Sequence, residues 1–264
     1  MLRRKTAPAG IFAVLIRRAV LLCAGLVLFA ANYARADGAC SFTQSQFVPL
    51  AAAQGGVSGA PGQIGEELAV RKELLSEVVD CSIAEASDLQ SRVGKLAISD
   101  GDAEAKKIQA QLSGQLGSAI NYYEVQKSKI GDLGLQGSKD FAADLKTWRA
   151  GNYEPNAKSA SNFIIWVGDQ DIIGIAQERF DEIGQSVSLL KIVDGQEIQS
   201  DWGDAVSNFN NALQENESAE QILLSFGPPE DSLNAIKSSL ESLSVTYQKF
   251  FDTISAINKA LHPQ

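Results

Sequence analysis

The sequence predicts an all-α fold, an elongated up-and-down bundle of about five or six helices, and three observations carry that expectation. Apolar residues recur at three- and four-residue spacing through most of residues 64 to 264. No stretch alternates apolar and polar residues as a half-buried strand would. Clusters of Gly, Pro and Asp punctuate the pattern where short turns would join long helices, and short connections place neighbouring helices antiparallel.

The first 36 residues read as an export signal. Arg3, Arg4, Lys5, Arg17 and Arg18 supply a basic start, Ala19 to Ala31 is an almost unbroken apolar run, and Ala34-Arg35-Ala36 suits a peptidase cut before Asp37. A retained membrane anchor is the alternative, but a span needs about 20 apolar residues and the Arg17-Arg18 pair stops this one short. Residues 37 to 63 follow as a tether, because Gly55-Gly56, Gly59 and Pro61-Gly62 break any helical period. The remainder, 64 to 264, is long enough for a single domain with its own core.

Within that domain each helix announces itself by a stripe. Leu75, Val79, Ser82, Ala86, Leu89, Val93 and Leu96 mark the first. Ile108, Leu112, Ala119, Tyr123 and Ile130 mark the second; Tyr122 lies about 100° round from Tyr123, so one should pack inside and the other at the margin. Phe141, Leu145 and Trp148 mark a shorter helix, and Ile173, Ala176, Phe180, Ile183, Val187 and Leu190 a longer one. Val206, Phe209 and Leu213 mark a further segment, with Ser218 and Gln221 spaced as a capping box for a new helical turn. The last stripe is the clearest: Leu233, Ile236, Leu240, Leu243, Tyr247, Phe250, Ile254, Ile257 and Leu261. Turn chemistry lies at Ser99-Asp100-Gly101-Asp102, Gly134 to Gly137, Asp194-Gly195, Ser200-Asp201 and Gly227-Pro228-Pro229. Helical glycines such as Gly114, Gly117, Gly174 and Gly184 each cost about 1 kcal/mol against Ala, for which close helix approach would compensate.

The 264 residues carry 23 basic and 32 acidic side chains, and six of the bases but no acid lie in the first 36. The exported remainder is therefore strongly acidic, which disfavours nucleic acid and anionic lipid as partners. No later segment is apolar enough to span a bilayer. Cleavage would also remove Cys23 and leave Cys40 and Cys81, whose natural reading in an oxidising compartment is a disulfide pinning the tether to the first helix. Two unpaired thiols, with Cys81 packed as a small apolar residue, are the alternative.

The chemistry-bearing motifs are sparse. The only histidine is His262, close to the end of the sequence, so Ser-His-Asp, Cys-His and zinc arrangements lack their parts, and no glycine-rich phosphate loop precedes a helix. No cofactor and no metal site is expected. Asp100-Gly101-Asp102 with Glu104 lacks the later ligands of a calcium loop and reads as a turn with helix N-caps. Asp169 and Asp171 sit between Trp166-Val167 and Ile172-Ile173, which makes them the acids most exposed to burial, though residues two apart on a helix point to different sides.

The most suggestive segment gathers Trp148, Arg149, Tyr153, Phe163 and Trp166 around Gly151 and Pro155, where the helix should break into a corner. Trp, Tyr and Arg offer large contact area with a polar handle, so Trp148, Arg149, Tyr153 and Trp166 are the candidate binding residues for a protein partner. The competing reading is that these aromatics plug the bundle, with Arg149 stacked on a ring. The resulting expectation is an exported, non-enzymatic helical protein acting as an envelope interaction or scaffold module, with self-association open to it. A carboxylate-dependent α-helical hydrolase of envelope glycans and an N-terminally anchored sensor are the alternatives.

Overall fold

The computed structural model describes residues 61–190 and 196–261. The expected export signal, nearly all of the tether, Cys40, the Asp194-Gly195 turn and His262 fall outside the described residues. Among the described residues all regular structure is helical. In order it comprises α1 (Pro61–Gly94), α2 (Ala103–Lys129), a 3-10 turn (Ile130–Asp132), α3 (Leu135–Trp148), a π turn (Arg149–Tyr153), α4 (Glu154–Leu190), α5 (Gln196–Leu224) and α6 (Pro229–Leu261). The protein is an all-α bundle, and no described helix is long and apolar enough to cross a membrane.

Local chemistry sets the helix ends. Pro61 and Pro229 open α1 and α6, positions where a missing N–H costs nothing and the fixed φ is already helical. Asp102 caps α2, its side chain accepting the amide of Ala105 at 2.9 Å. The end of α5 is a Schellman turn: the Gly227 amide reaches the Ile222 carbonyl at 2.9 Å and the Phe226 amide reaches Leu223 at 3.3 Å. Phe226 takes the left-handed position there, φ 53°, one residue before the glycine that would adopt it without strain.

The helices pack as two antiparallel hairpins on a central rod. In the first hairpin, Gln90 of α1 donates to the Ser113 carbonyl of α2 at 2.9 Å, and Gln109 of α2 donates back to the Val93 carbonyl at 2.8 Å. In the second, Ser239 of α6 donates to the Ala212 carbonyl of α5 at 3.0 Å, and Lys249 pairs with Asp201 and Asp204. The rod is α3 and α4, which meet without reversing. One apolar cluster joins α1, α2, α3 and the first half of α4 to the ends of α5 and α6 that lie nearest, and two further clusters join the rest of α4 to the second hairpin.

Most predicted stripes are buried as expected, including Val79, Ala86 and Val93 on α1 and Ile108, Leu112 and Tyr123 on α2. Two expectations fail in an instructive way. The capping box at Ser218 starts nothing: α5 runs unbroken through it, and through Ser200-Asp201. On α6 Ile236, Leu243 and Phe250 of the apolar stripe are buried as expected, but the rest of the buried face is turned by one residue from it. Ser232, Ser239, Thr246 and Thr253, every seventh residue, are buried, while Leu233, Leu240, Tyr247 and Ile254 are only half-buried. The partner helix explains the rotation, because α5 presents Ala205, Ala212 and Ala219, all fully buried, at the same seven-residue interval. Small residues on both sides let the backbones approach closely enough for a serine hydroxyl to reach a carbonyl across the interface. Close approach also accounts for two helical glycines: a Cβ on Gly184 would lie 2.9 Å from the Trp202 ring, and one on Gly117 would lie 2.9 Å from the Gln90 amide nitrogen. Gly114 and Gly174 face open space, so close packing does not explain them.

Candidate functional site

Gly151 and Pro155 do not break the helix. The chain instead inserts a π turn, in which the Glu154 amide reaches back five residues to the Arg149 carbonyl. A proline in a regular helix forfeits one hydrogen bond and its ring presses on the carbonyl four residues earlier; one extra residue in the turn relieves that contact. Two asparagine side chains add bonds of their own along the turn. Asn152 donates to Trp148 at 3.0 Å and Asn156 donates to Asn152 at 2.8 Å.

The wider turn aims Arg149 at the first hairpin. Its guanidinium donates to Glu85 of α1 at 2.8 Å and to the Ser82 hydroxyl at 3.4 Å, lies 3.5 Å from Glu154, and sits 4.8 Å from the centre of the Tyr153 ring. Burial pulls the Arg149 pKa down, but the hydrogen bond and charge of Glu85 outweigh it and hold the group above its ordinary value. Tyr123 and Tyr153 close the floor of this lattice in an edge-to-face contact, centroids 5.9 Å apart, both fully buried. The Tyr153 hydroxyl faces Glu85 and the Tyr123 hydroxyl faces Arg149 and Ser82, yet neither closes a hydrogen bond. Burial raises both phenol pKa values, so both stay neutral donors.

Above the lattice, Trp148 stacks flat on Tyr122 of α2, centroids 3.6 Å apart and planes within 9°. Both rings are half-buried. Tyr122 is thus the marginal partner of buried Tyr123, and burial together with nearby Asp144 raises its pKa. The structure therefore brings together three of the four candidate binding residues, Trp148, Arg149 and Tyr153. Trp166 is elsewhere: it is 2 % exposed, packs on Phe163 and donates its indole N–H to the Asn216 carbonyl at 3.3 Å. Tyr153 and Trp166 are core side chains, and Arg149 does stack on a ring, so for these residues the plug describes the packing. What reaches solvent is Trp148, Tyr122 and the side chain of Arg149, 30 % exposed.

Ser82 and Glu85 are members that motif reading missed, whereas Tyr122 stood out beside Tyr123 but not as a neighbour of Trp148. The available signal was a serine inside the α1 stripe, a polar residue at a core position that needs a partner. Cys81 lies half-buried beside Ser82 on α1, while its expected partner Cys40 lies outside the described residues.

Asp169 is the other group of chemical interest. It is 3 % exposed, its Oδ2 has no hydrogen-bond partner, and burial pushes its pKa up to about 7. That value suits a general acid, but a side chain enclosed between helices is out of reach of a polymeric substrate. Asp171 is exposed and points away, so the two acids do not form a pair. A separate acidic group, Glu220 of α5 facing Asp102 and Glu104 at the start of α2, lies where the two hairpins meet; burial and the repulsion of these neighbours raise the Glu220 pKa. Among the described residues no group of three or more His, Cys, Asp and Glu side chains is placed to hold a metal ion. No protein-family model matches the chain, and neither the curated proteins nor the solved structures yield a match.

Proposed function

We propose that the protein is an exported, non-enzymatic helical module of the cell envelope that docks a protein partner at the corner formed by Trp148, Tyr122 and Arg149. The observation that carries this reading is the half-exposed Trp148–Tyr122 stack, held on a lattice of buried tyrosines and a multiply anchored arginine. Contact surfaces that bind tightly centre on Trp, Tyr and Arg whose positions are fixed before the partner arrives, because little side-chain entropy is then lost on docking. The export signal supports the location, and a Cys40–Cys81 bridge would fasten the tether to α1.

In-cell crosslinking and pull-down of wild type beside a Trp148→Ala/Tyr122→Ala variant tests the reading. Wild type should capture a discrete partner that the equally folded variant loses. The intact mass of the recovered protein should begin at Asp37 and rise by two hydrogens on reduction. Capture of the same partners by both proteins would contradict the corner as a docking face.

A further inference from the structure

The solvent side of the aromatic corner carries acids whose charge nothing nearby balances. On α3, Asp140, Asp144 and Trp148 follow one another at four-residue spacing, so both carboxylates lie on the row that leads to the ring, and both are exposed. Like charges four apart on a helix repel, and no basic residue stands three or four positions from either acid. Asp140 accepts the Gln136 amide at 2.9 Å, while among the described residues Asp144 has no hydrogen-bond or ion-pair partner. Lys139 and Lys146 of the same helix lie about 160–180° round from Trp148. The other bases near the corner are engaged. Arg149 is held by Glu85 and Glu154, Lys127 of α2 pairs with Asp80, and Lys129 donates to Gln126. The Asp144 charge reaches the Tyr122 ring, where it adds to burial in raising the phenol pKa.

Rings and acids favour the same visitor. A Trp or Tyr ring attracts a cation to its face, arginine most often, and a carboxylate beside the ring holds the same charge. An apolar partner would cover the stack and strip water from Asp144 without compensation, and an acidic one would add repulsion. With 32 acidic against 23 basic side chains, the chain as a whole also steers cations towards itself. Resting on the docking face proposed above, we infer that the partner is a protein segment bearing arginine or lysine, which lays its cationic side chain on the Trp148–Tyr122 stack and pairs it with Asp144 or Asp140. Either carboxylate can hold the charge, so replacing one weakens the contact without abolishing it.

The test titrates the purified protein with hexa-arginine amide and, in parallel, with the neutral isostere hexa-citrulline amide, following the three tryptophan indole N–H signals by NMR. Trp148 should shift with the arginine peptide and not with citrulline, while Trp166 and Trp202 stay unmoved. Asp140→Asn/Asp144→Asn should weaken that response at least about fivefold. Both acids are exposed, so the variant keeps the fold and most of the chain's negative charge. A Trp148 signal that ignores the arginine peptide, follows both peptides alike, or responds undiminished in the asparagine variant would overturn the inference. So would a shift on concentrating the protein alone, which would seat a second copy on the face. In-cell capture separates this failure from failure of the docking face. A partner lost by Trp148→Ala/Tyr122→Ala should also be depleted by the asparagine pair. Its full retention there would remove the cationic requirement and leave the face, whereas retention by both variants would remove the face itself.

Discussion

Arg149 is the side chain on which the candidate site depends. Its fork reaches Glu85 and Ser82 on α1 while its face covers Tyr153 of its own turn, so one residue ties the π turn to the first hairpin through two hydrogen bonds. Both partners of the ion pair are about a third exposed, which discounts its electrostatic worth. Arg149→Ala should still cost about 1–2 kcal/mol in unfolding free energy, because Glu85 would keep its partial burial and lose its partner. Arg149→Lys should restore only part of that, since a point charge cannot reproduce the fork. Equal stability of all three proteins would show that the lattice is incidental. At this scale the sequence was a partial guide. The division of labour between Tyr122 and Tyr123 was legible, as was a buried acid among Asp169 and Asp171 though not which of the two, because these follow from neighbours along one helix. The meeting of Tyr122 with Trp148, and of Ser82 and Glu85 with Arg149, was not, because spacing within a helix says nothing about which helices touch.

The helices themselves were legible in number and in most of their buried faces, and the exceptions share a cause. Reading stripes by apolarity rewards large residues, whereas α5 and α6 meet through small ones, Ala205, Ala212 and Ala219 against Ser232, Ser239, Thr246 and Thr253. Three of the four hydroxyls satisfy themselves on carbonyls, Ser232 on Pro229, Ser239 on Ala212 and Thr246 on Ser242, which removes most of the penalty for burying them, while the Thr253 hydroxyl has no partner. A different signal hid the continuity of α3 and α4: Gly151 and Pro155 read as strong helix breakers, and a π turn absorbs them. Close α5–α6 packing leaves no room for bulk. Ala212→Leu should therefore destabilise by about 1–3 kcal/mol through overpacking, while Ala110→Leu on the exposed side of α2 should fall within about 0.5 kcal/mol of wild type. Thermal unfolding of the two variants measures the difference, and similar midpoints would contradict the small-residue interface.

For the whole molecule, the two hairpins divide their tasks along the central rod. The first hairpin, with the π turn, builds the aromatic corner; the second packs on α4 through two apolar clusters. The proposed export, an acidic composition and an anchored Trp–Tyr–Arg surface together define the proposed interaction module, and its central claim is positional: the partner sits at the corner. The most direct measurement is in-cell photocrosslinking with the reactive side chain placed at Asp144, exposed and beside Tyr122, and separately at Lys237, exposed on α6. A discrete adduct from position 144 and none from 237 is the predicted result. Adducts that form from 237 and not from 144 would contradict the account.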